Sequence, residues 1–151
     1  MATKQTNGFR KIDVDQYNDD IFKEEESTEV LSPVSGIDES EVQRMCQQGK
    51  YVEAVKHVIA NCPLQSKNQP AKDHAFNVMM QTMSNVKASE MDKVIDALDM
   101  DEVDVVMKYI YRGFENPSEG RSGHLLVWHE KAYNKSGLGS IVRVLTDKKR
   151  V

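Results

Sequence analysis

The pair His129-Glu130 lies on a predicted helix, as the metal-binding pair of a zinc protease would. Such a motif needs a second histidine four residues after the first, so that both ligands meet on one helix face. That position is Tyr133, which cannot replace an imidazole ligand. Three further possible ligands lie in separate segments without chelating spacing: His57, Cys62 and His74. The sequence therefore predicts no metal site.

Other catalytic patterns are also missing from the sequence. The two glycines within residues 137–140 follow a predicted helix instead of a strand, so they do not indicate a phosphate-binding loop. No serine stands in a nucleophile elbow, and no pair of carboxylates is marked by its spacing. We therefore expect the protein not to be an enzyme.

Length and composition limit the remaining function classes. The 151 residues suffice for one domain with an appendage. No apolar run approaches the roughly 18 residues that span a bilayer, and no hydrophobic stretch follows Met1, so we expect neither a membrane protein nor a secreted one. The two cysteines lack close-paired spacing, which fits reduced thiols in the cytoplasm. The formal net charge of −4 argues against nucleic acid as the main ligand.

The first 36 residues carry this charge imbalance. They hold eight acidic and four basic residues, whereas the rest of the chain holds sixteen of each. Large apolar side chains stand among the acids: Phe9, Ile12, Val14, Tyr17, Ile21 and Phe22. A plain spacer would be Gly/Ser-rich or purely charged. We therefore predict an extended acidic N-terminal arm over 1–36 that docks on another protein, followed by a folded body over 37–151.

The body shows helical periodicity almost without a gap. We predict about seven short helices: one between a cap at Asp38 and Gly49, then 51–61, 70–86, 89–98 with Ser89 as its cap, 101–114, 123–134 and 138–145. The last could instead be a strand, because a β-branched run begins at Ile141. Short connections favour antiparallel neighbours, so the sequence predicts an all-α body of stacked helical hairpins.

Methionines and aromatic residues of the body allow two interpretations. The methionines fill the core or line an adaptable groove, and Met80 lies off the apolar stripe of its helix, which favours the surface. Tyr109 falls on the far side of its predicted helix, Tyr111 at the margin and Trp128 at the edge. Either another chain covers these three rings, or neighbouring helices of the same body do.

Four stretches of the chain resemble, in order, the motifs of one known family. They are Phe9-Arg10-Lys11-Ile12-Asp13-Val14-Asp15-Gln16-Tyr17, Met107-Lys108-Tyr109-Ile110-Tyr111-Arg112-Gly113-Phe114-Glu115, Trp128-His129-Glu130-Lys131-Ala132 and Gly139-Ser140-Ile141-Val142-Arg143-Val144-Leu145-Thr146. The chain resembles the 16-kDa subunit, subunit 5, of the actin-related protein 2/3 complex. Four motifs in register over nearly the full length are more specific than any single short pattern.

The resemblance implies an α-α superhelical body and a non-catalytic, structural role in a seven-subunit assembly that nucleates branched actin filaments. It implies that the body docks near the β-propeller subunit 1 and subunit 4, and that the arm tethers actin-related protein 2. It further implies no nucleotide or other cofactor, and a location in the cytoplasm, the cytoskeleton and cell projections. The acidic charge balance and the lack of a long apolar run, in turn, predict no nucleic-acid and no membrane partner.

Two sets of residues are candidates for partner contacts. Those of the arm are Phe9, Arg10, Ile12, Tyr17 and Phe22. Those of the body are Tyr109, Tyr111, Arg112, Trp128 and Arg143. The alternative function is a free-standing helical adaptor that binds short peptides in a groove.

Overall fold

The computed structural model describes residues 36–117, 120–147 and Val151, and every regular element in these ranges is an α-helix. The six helices are α1 (Glu39–Gln47), α2 (Tyr51–Ala60), α3 (Gln69–Asn85), α4 (Ala88–Ala97), α5 (Met100–Glu115) and α6 (Arg121–Thr146). The all-α prediction is thus confirmed for the described part of the chain. None of these helices is both long and apolar enough to cross a bilayer.

The predicted arm lies almost wholly outside the described residues. This holds for its five candidate contact residues, Phe9, Arg10, Ile12, Tyr17 and Phe22. The division of the chain at residue 36 and the docking of the arm therefore stay predictions.

Local side-chain chemistry explains where the first helix begins and ends. The carboxylate of Asp38 accepts hydrogen bonds from the backbone N–H groups of Ser40 at 3.0 Å and Glu41 at 3.3 Å, as an N-cap does. Gly49 follows the helix with a φ of 73°, a left-handed conformation that glycine adopts without steric cost. Both predicted boundaries of this helix are confirmed.

The start of α4 differs from the prediction, whereas α5 begins at Met100, next to the predicted Asp101. Ser89 is not the cap of α4, because the helix already begins at Ala88 with Lys87 as its N-cap residue. Only two residues separate α3 from α4, so the short connection sets the start of α4 in place of a capping side chain. At α5, Asp99 and Glu102 form a reciprocal capping box: the Glu102 N–H donates to Asp99 at 2.7 Å, and the Asp99 N–H donates to Glu102 at 2.9 Å.

The predicted sixth and seventh helices form one element, α6, which is bent at Gly137. The backbone angles of Gly137, φ 66° and ψ −164°, belong to a region that is essentially restricted to glycine. The buried Ser140 hydroxyl donates to the Gly137 carbonyl at 2.9 Å, which satisfies a carbonyl group at the bend. The described residues therefore form six helices when α6 is counted across the kink and seven when it is divided at Gly137, which agrees with the predicted number of about seven. The segment after the bend is helical rather than a strand.

The hydrophobic core lies where α5 packs against α2, α3 and α6. α5 and α6 approach each other closely at Gly113. A Cβ atom at this position would lie 2.7 Å from Leu125 Cδ1, closer than real Cβ contacts. The missing side chain therefore lets Leu125 pack directly against the α5 backbone.

Methionines contribute much of this core, as the commoner interpretation of the sequence predicts. Met79, Met83, Met91 and Met107 are almost completely buried. The placement of Met80 at the surface is wrong, since only 3% of it is exposed. Its Sδ lies 3.3 Å from where a Gly113 Cβ would be, so the space that this glycine leaves open accommodates it.

Candidate interaction surfaces

Two of the five body candidates, Tyr109 and Trp128, lie in the core of this chain. Their exposed fractions are 1% and 0%. Trp128 Nε1 donates to the Met83 carbonyl at 3.3 Å, and burial raises the pKa of Tyr109, which lies beside Cys62. Tyr109, on the far side of its helix, and Trp128, at the edge of its helix, are thus covered by neighbouring helices of the same body, because α5 packs on α2, α3 and α6, and α6 packs on α4 and α5. Direct contact of either residue with another subunit stays a prediction, but their burial needs no partner.

Arg112 joins α5 to the start of α3. Its guanidinium donates to the Lys72 carbonyl at 3.1 Å, forms an ion pair with Asp73, and lies 4.7 Å from the centre of the Phe76 ring. Hydrogen bonds from Gln69 and then from Arg112 lower the pKa of the Asp73 carboxyl. Arg112 therefore already has a structural role within the body, and its predicted contact with a partner stays a prediction.

Arg143 joins the end of α6 to the start of α5. Its guanidinium contacts both carboxylate oxygens of Asp104, with Nη2 at 2.9 Å from Oδ1, and this pairing raises the pKa of Arg143. Lys108 pairs with Asp147 at 2.6 Å in the same region. These ion pairs line a shallow groove of about 390 Å³. Within this groove the positive charges of Lys108 and Arg143 are thus offset by the carboxylates of Asp147 and Asp104.

Tyr111, in contrast, belongs to a partly exposed group of rings that α5 and α6 share. The ring centre of Tyr111 lies 5.9 Å from that of Phe114 and 5.6 Å from that of His129. His129 is also 6.1 Å from Phe114 and lies nearly parallel to Tyr133 at 6.5 Å. The Tyr111 hydroxyl is 3.4 Å from His129 Nε2. We call these four residues, Tyr111, Phe114, His129 and Tyr133, the aromatic patch.

No group of three or more histidine, cysteine or acidic side chains is arranged to hold a metal within the described ranges. Cys46 and Cys62 are unpaired thiols, and burial raises the pKa of both, which opposes the reactive thiolate form.

A second exposed apolar feature lies on α6 beyond the bend. Leu138, Val142 and Leu145 follow one another at helical steps and are 64%, 49% and 71% exposed. Sequence periodicity identifies such a row of apolar residues on one helix face. It does not show whether that face is turned to the core or to solvent, because a core-facing row and a solvent-facing row have the same spacing. The exposed fraction decides between them, and here it places the row outside the body.

A comparison with protein families extends these observations to the whole chain. Residues 8–151 match the model of the family described as ARP2/3 complex 16 kDa subunit (p16-Arc). This range includes all four stretches that carry the resemblance.

Curated relatives agree with the family match over nearly the full chain. Actin-related protein 2/3 complex subunit 5-C of Xenopus laevis is 45% identical over 143 residues, which cover 95% of this chain and 94% of the relative. Actin-related protein 2/3 complex subunit 5-like protein of Homo sapiens is 42% identical over 144 residues with the same coverage of both chains. Subunit 5 of Dictyostelium discoideum is 30% identical over 113 residues, 75% of this chain and 80% of the relative.

Four motifs in register, an all-helical body and a family match from residue 8 to the last residue agree with one another. The chain belongs to the family of the ARP2/3 complex 16 kDa subunit, p16-Arc.

Proposed function

We propose that this protein is a non-catalytic structural subunit of the actin-related protein 2/3 complex and supports nucleation of branched actin filaments. The observation that carries the proposal is coverage: this chain aligns with 94% of the length of relatives that are named as subunits of that complex. The partners would be the other subunits of the seven-subunit assembly, and actin filaments through it. The protein would be located in the cytoplasm and its cytoskeleton, including cell projections. Within the body, the helical pairs would be arranged as an α-α superhelix.

The N-terminal arm would tether actin-related protein 2. Fixing a residue costs about 1–2 kcal/mol of conformational entropy, so only segments that bury apolar groups are worth ordering. Residues 9–22 contain such groups, with Phe9, Ile12, Tyr17 and Phe22 as anchors and Arg10 beside them. Residues 23–36 are poorer in large apolar side chains and would act as the linker. Fully extended, 36 residues reach roughly 120 Å at about 3.3 Å per residue.

The body would dock near the β-propeller subunit 1 and subunit 4. Among the body candidates, Tyr111 is suited to direct contact because it lies in the partly exposed aromatic patch. Tyr109 and Trp128 would act through the core that holds α5 and α6 together, and Arg112 and Arg143 through the ion pairs that fix both helices. The contact surface would therefore lie mainly on α5 and α6.

Deletion of residues 1–22 tests the role of the arm. We expect retention of actin-related protein 2 in the purified complex to fall about tenfold or more, since the anchors would be the main apolar contacts of the arm. The helical circular dichroism signal of the body should remain. Retention is measured by washing immobilised complex and quantifying the actin-related protein 2 that remains bound.

A linker variant is the matched control for this deletion. Replacing residues 23–35 by a Gly/Ser sequence of equal length keeps the anchors and the reach, so retention should stay close to that of the natural chain. Unchanged retention and normal branching after deletion of residues 1–22 would contradict the tethering role.

A further inference from the structure

The aromatic patch places aromatic rings and exposed apolar side chains together at the surface of α5 and α6. Tyr133 is 42% exposed, and Leu126, one helical turn before His129–Glu130, is 59% exposed. Four rings lie with neighbouring centres 5.6–6.5 Å apart across α5 and α6. Aromatic residues dominate the binding energy of many protein interfaces because they bury much area with few rotatable bonds. The rings thus form a contiguous surface in which Tyr133 is exposed and the other three rings are half-buried.

The charges next to the patch are acidic. Glu115 lies four residues after Tyr111 on α5, and Glu130 lies three residues before Tyr133 on α6, so each glutamate neighbours a patch ring on its own helix. Both glutamates are exposed. In the part of the chain that the structure describes, neither glutamate has a cation within ion-pair distance. This leaves two negative charges beside the rings without a basic partner.

The basic residues nearest in the sequence are held by other acids. Arg112 pairs with Asp73 on α3, and Lys131 pairs with Asp92 on α4 at 3.0 Å. Both cations therefore extend toward other helices, away from the two glutamates. The negative charge at the patch is consequently not neutralised by the neighbouring side chains of the same motifs.

We propose that the aromatic patch, with Glu115 and Glu130 at its rim, binds an arginine-bearing segment of a neighbouring subunit. The inference rests on the proposed membership in the complex and adds the chemistry of the docking partner. A guanidinium stacks on aromatic faces and binds carboxylates through two parallel hydrogen bonds, and it is more weakly hydrated than an ammonium group. The combination of flat rings and two carboxylates therefore favours arginine over other side chains.

Titration of the full-length chain into a complex assembled without this subunit tests the proposal. We expect Tyr133→Ala to weaken binding about tenfold or more, as loss of a central aromatic contact does. The double variant Glu115→Gln with Glu130→Gln should weaken binding at low salt, and its dissociation constant should change less with added salt than that of the natural chain. All three side chains lie at the surface or its margin, so thermal unfolding should stay nearly unchanged.

Two substitutions elsewhere on the body serve as matched controls. Met100→Ala removes an exposed apolar side chain, and Glu53→Gln removes an exposed charge, both away from the patch residues in the sequence. Both variants should bind as the natural chain does, with the same salt dependence.

The outcomes separate this inference from the proposed function. If the natural chain binds and the patch variants bind equally well, or if the glutamate double variant keeps the full salt dependence, the inference is wrong while membership stands. If the free chain is a dimer that the patch variants convert to a monomer, a second copy occupies the patch and the inference is also wrong. If the natural chain does not bind the assembly at all, the proposed function fails and the inference with it.

Discussion

Replacing Trp128 with alanine is expected to lower the free energy of unfolding of the full-length chain by about 3–5 kcal/mol, the usual cost of deleting a large core aromatic. The indole is fully buried, and its Nε1 is one of the groups that donate to the Met83 carbonyl close to the end of α3. The substitution leaves a cavity between α3 and α6 and removes that hydrogen bond. Urea denaturation followed by circular dichroism measures the change, since Trp128 is the single tryptophan and its fluorescence is lost with it.

Tyr133→Ala on the same helix is the matched control. Its side chain is 42% exposed, in contrast to the fully buried Trp128, so the free energy of unfolding should change by only about 0.5 kcal/mol or less. The two variants thus separate a core role from a contact role. If Trp128→Ala left stability unchanged and abolished binding to the complex, Trp128 would be a contact residue and its placement in the core would be contradicted.

Replacing Lys135 with methionine is expected to lower the free energy of unfolding by about 2–3 kcal/mol, because hydrogen bonds from a charged donor are the stronger ones. The Lys135 ammonium group, on α6, donates to the carbonyls of Ile95 at 2.7 Å and Asp96 at 2.9 Å and to that of Leu98. These carbonyl groups lie at the C-terminal end of α4, where the last carbonyls lack the usual partner four residues on, although that of Ile95 also accepts the Leu98 N–H at 3.2 Å. Methionine keeps an unbranched apolar side chain but lacks the ammonium group, so these carbonyls lose their charged hydrogen-bond donor. Urea denaturation gives the size of the loss.

Lys131→Met, one turn earlier on α6, provides the control for this prediction. Lys131 pairs with the exposed Asp92, and exposed ion pairs contribute only about 0–1 kcal/mol. Equal losses for the two variants would mean that a general charge effect, rather than capping of α4, explains the role of Lys135.

Sequence patterns predict the helices of this chain well and their surroundings less well. Asp38 and Gly49 mark a helix start and end because capping depends on adjacent residues only. Tyr109 and Met80 fall off the apolar stripe, yet both are buried. Periodicity shows which residues share a face of a helix, but it does not show how many neighbours cover that helix. Three helices, α2, α3 and α6, pack on α5, so more than one of its faces is buried and a single apolar stripe underestimates its buried residues.

The interaction surfaces were predictable only in part. The aromatic character of Tyr111 and its motif are visible in the sequence, but its contact with His129 joins residues 18 positions apart on two helices. The partners of Arg112 and Arg143 lie 39 positions away, so the sequence shows the basic side chains but not that acids of the same chain already hold them. The resemblance indicates which stretches belong together, whereas only the packing separates core residues from exposed ones.

The most direct test of membership in the complex is the size of the particle that contains this protein in a native cell extract. The chain alone has a mass of 17.2 kDa. We expect a tagged full-length chain, purified under mild conditions and separated on a sizing column, to elute in a far larger assembly together with actin-related protein 2. Elution of nearly all the protein near its own mass, without that partner, would contradict the account.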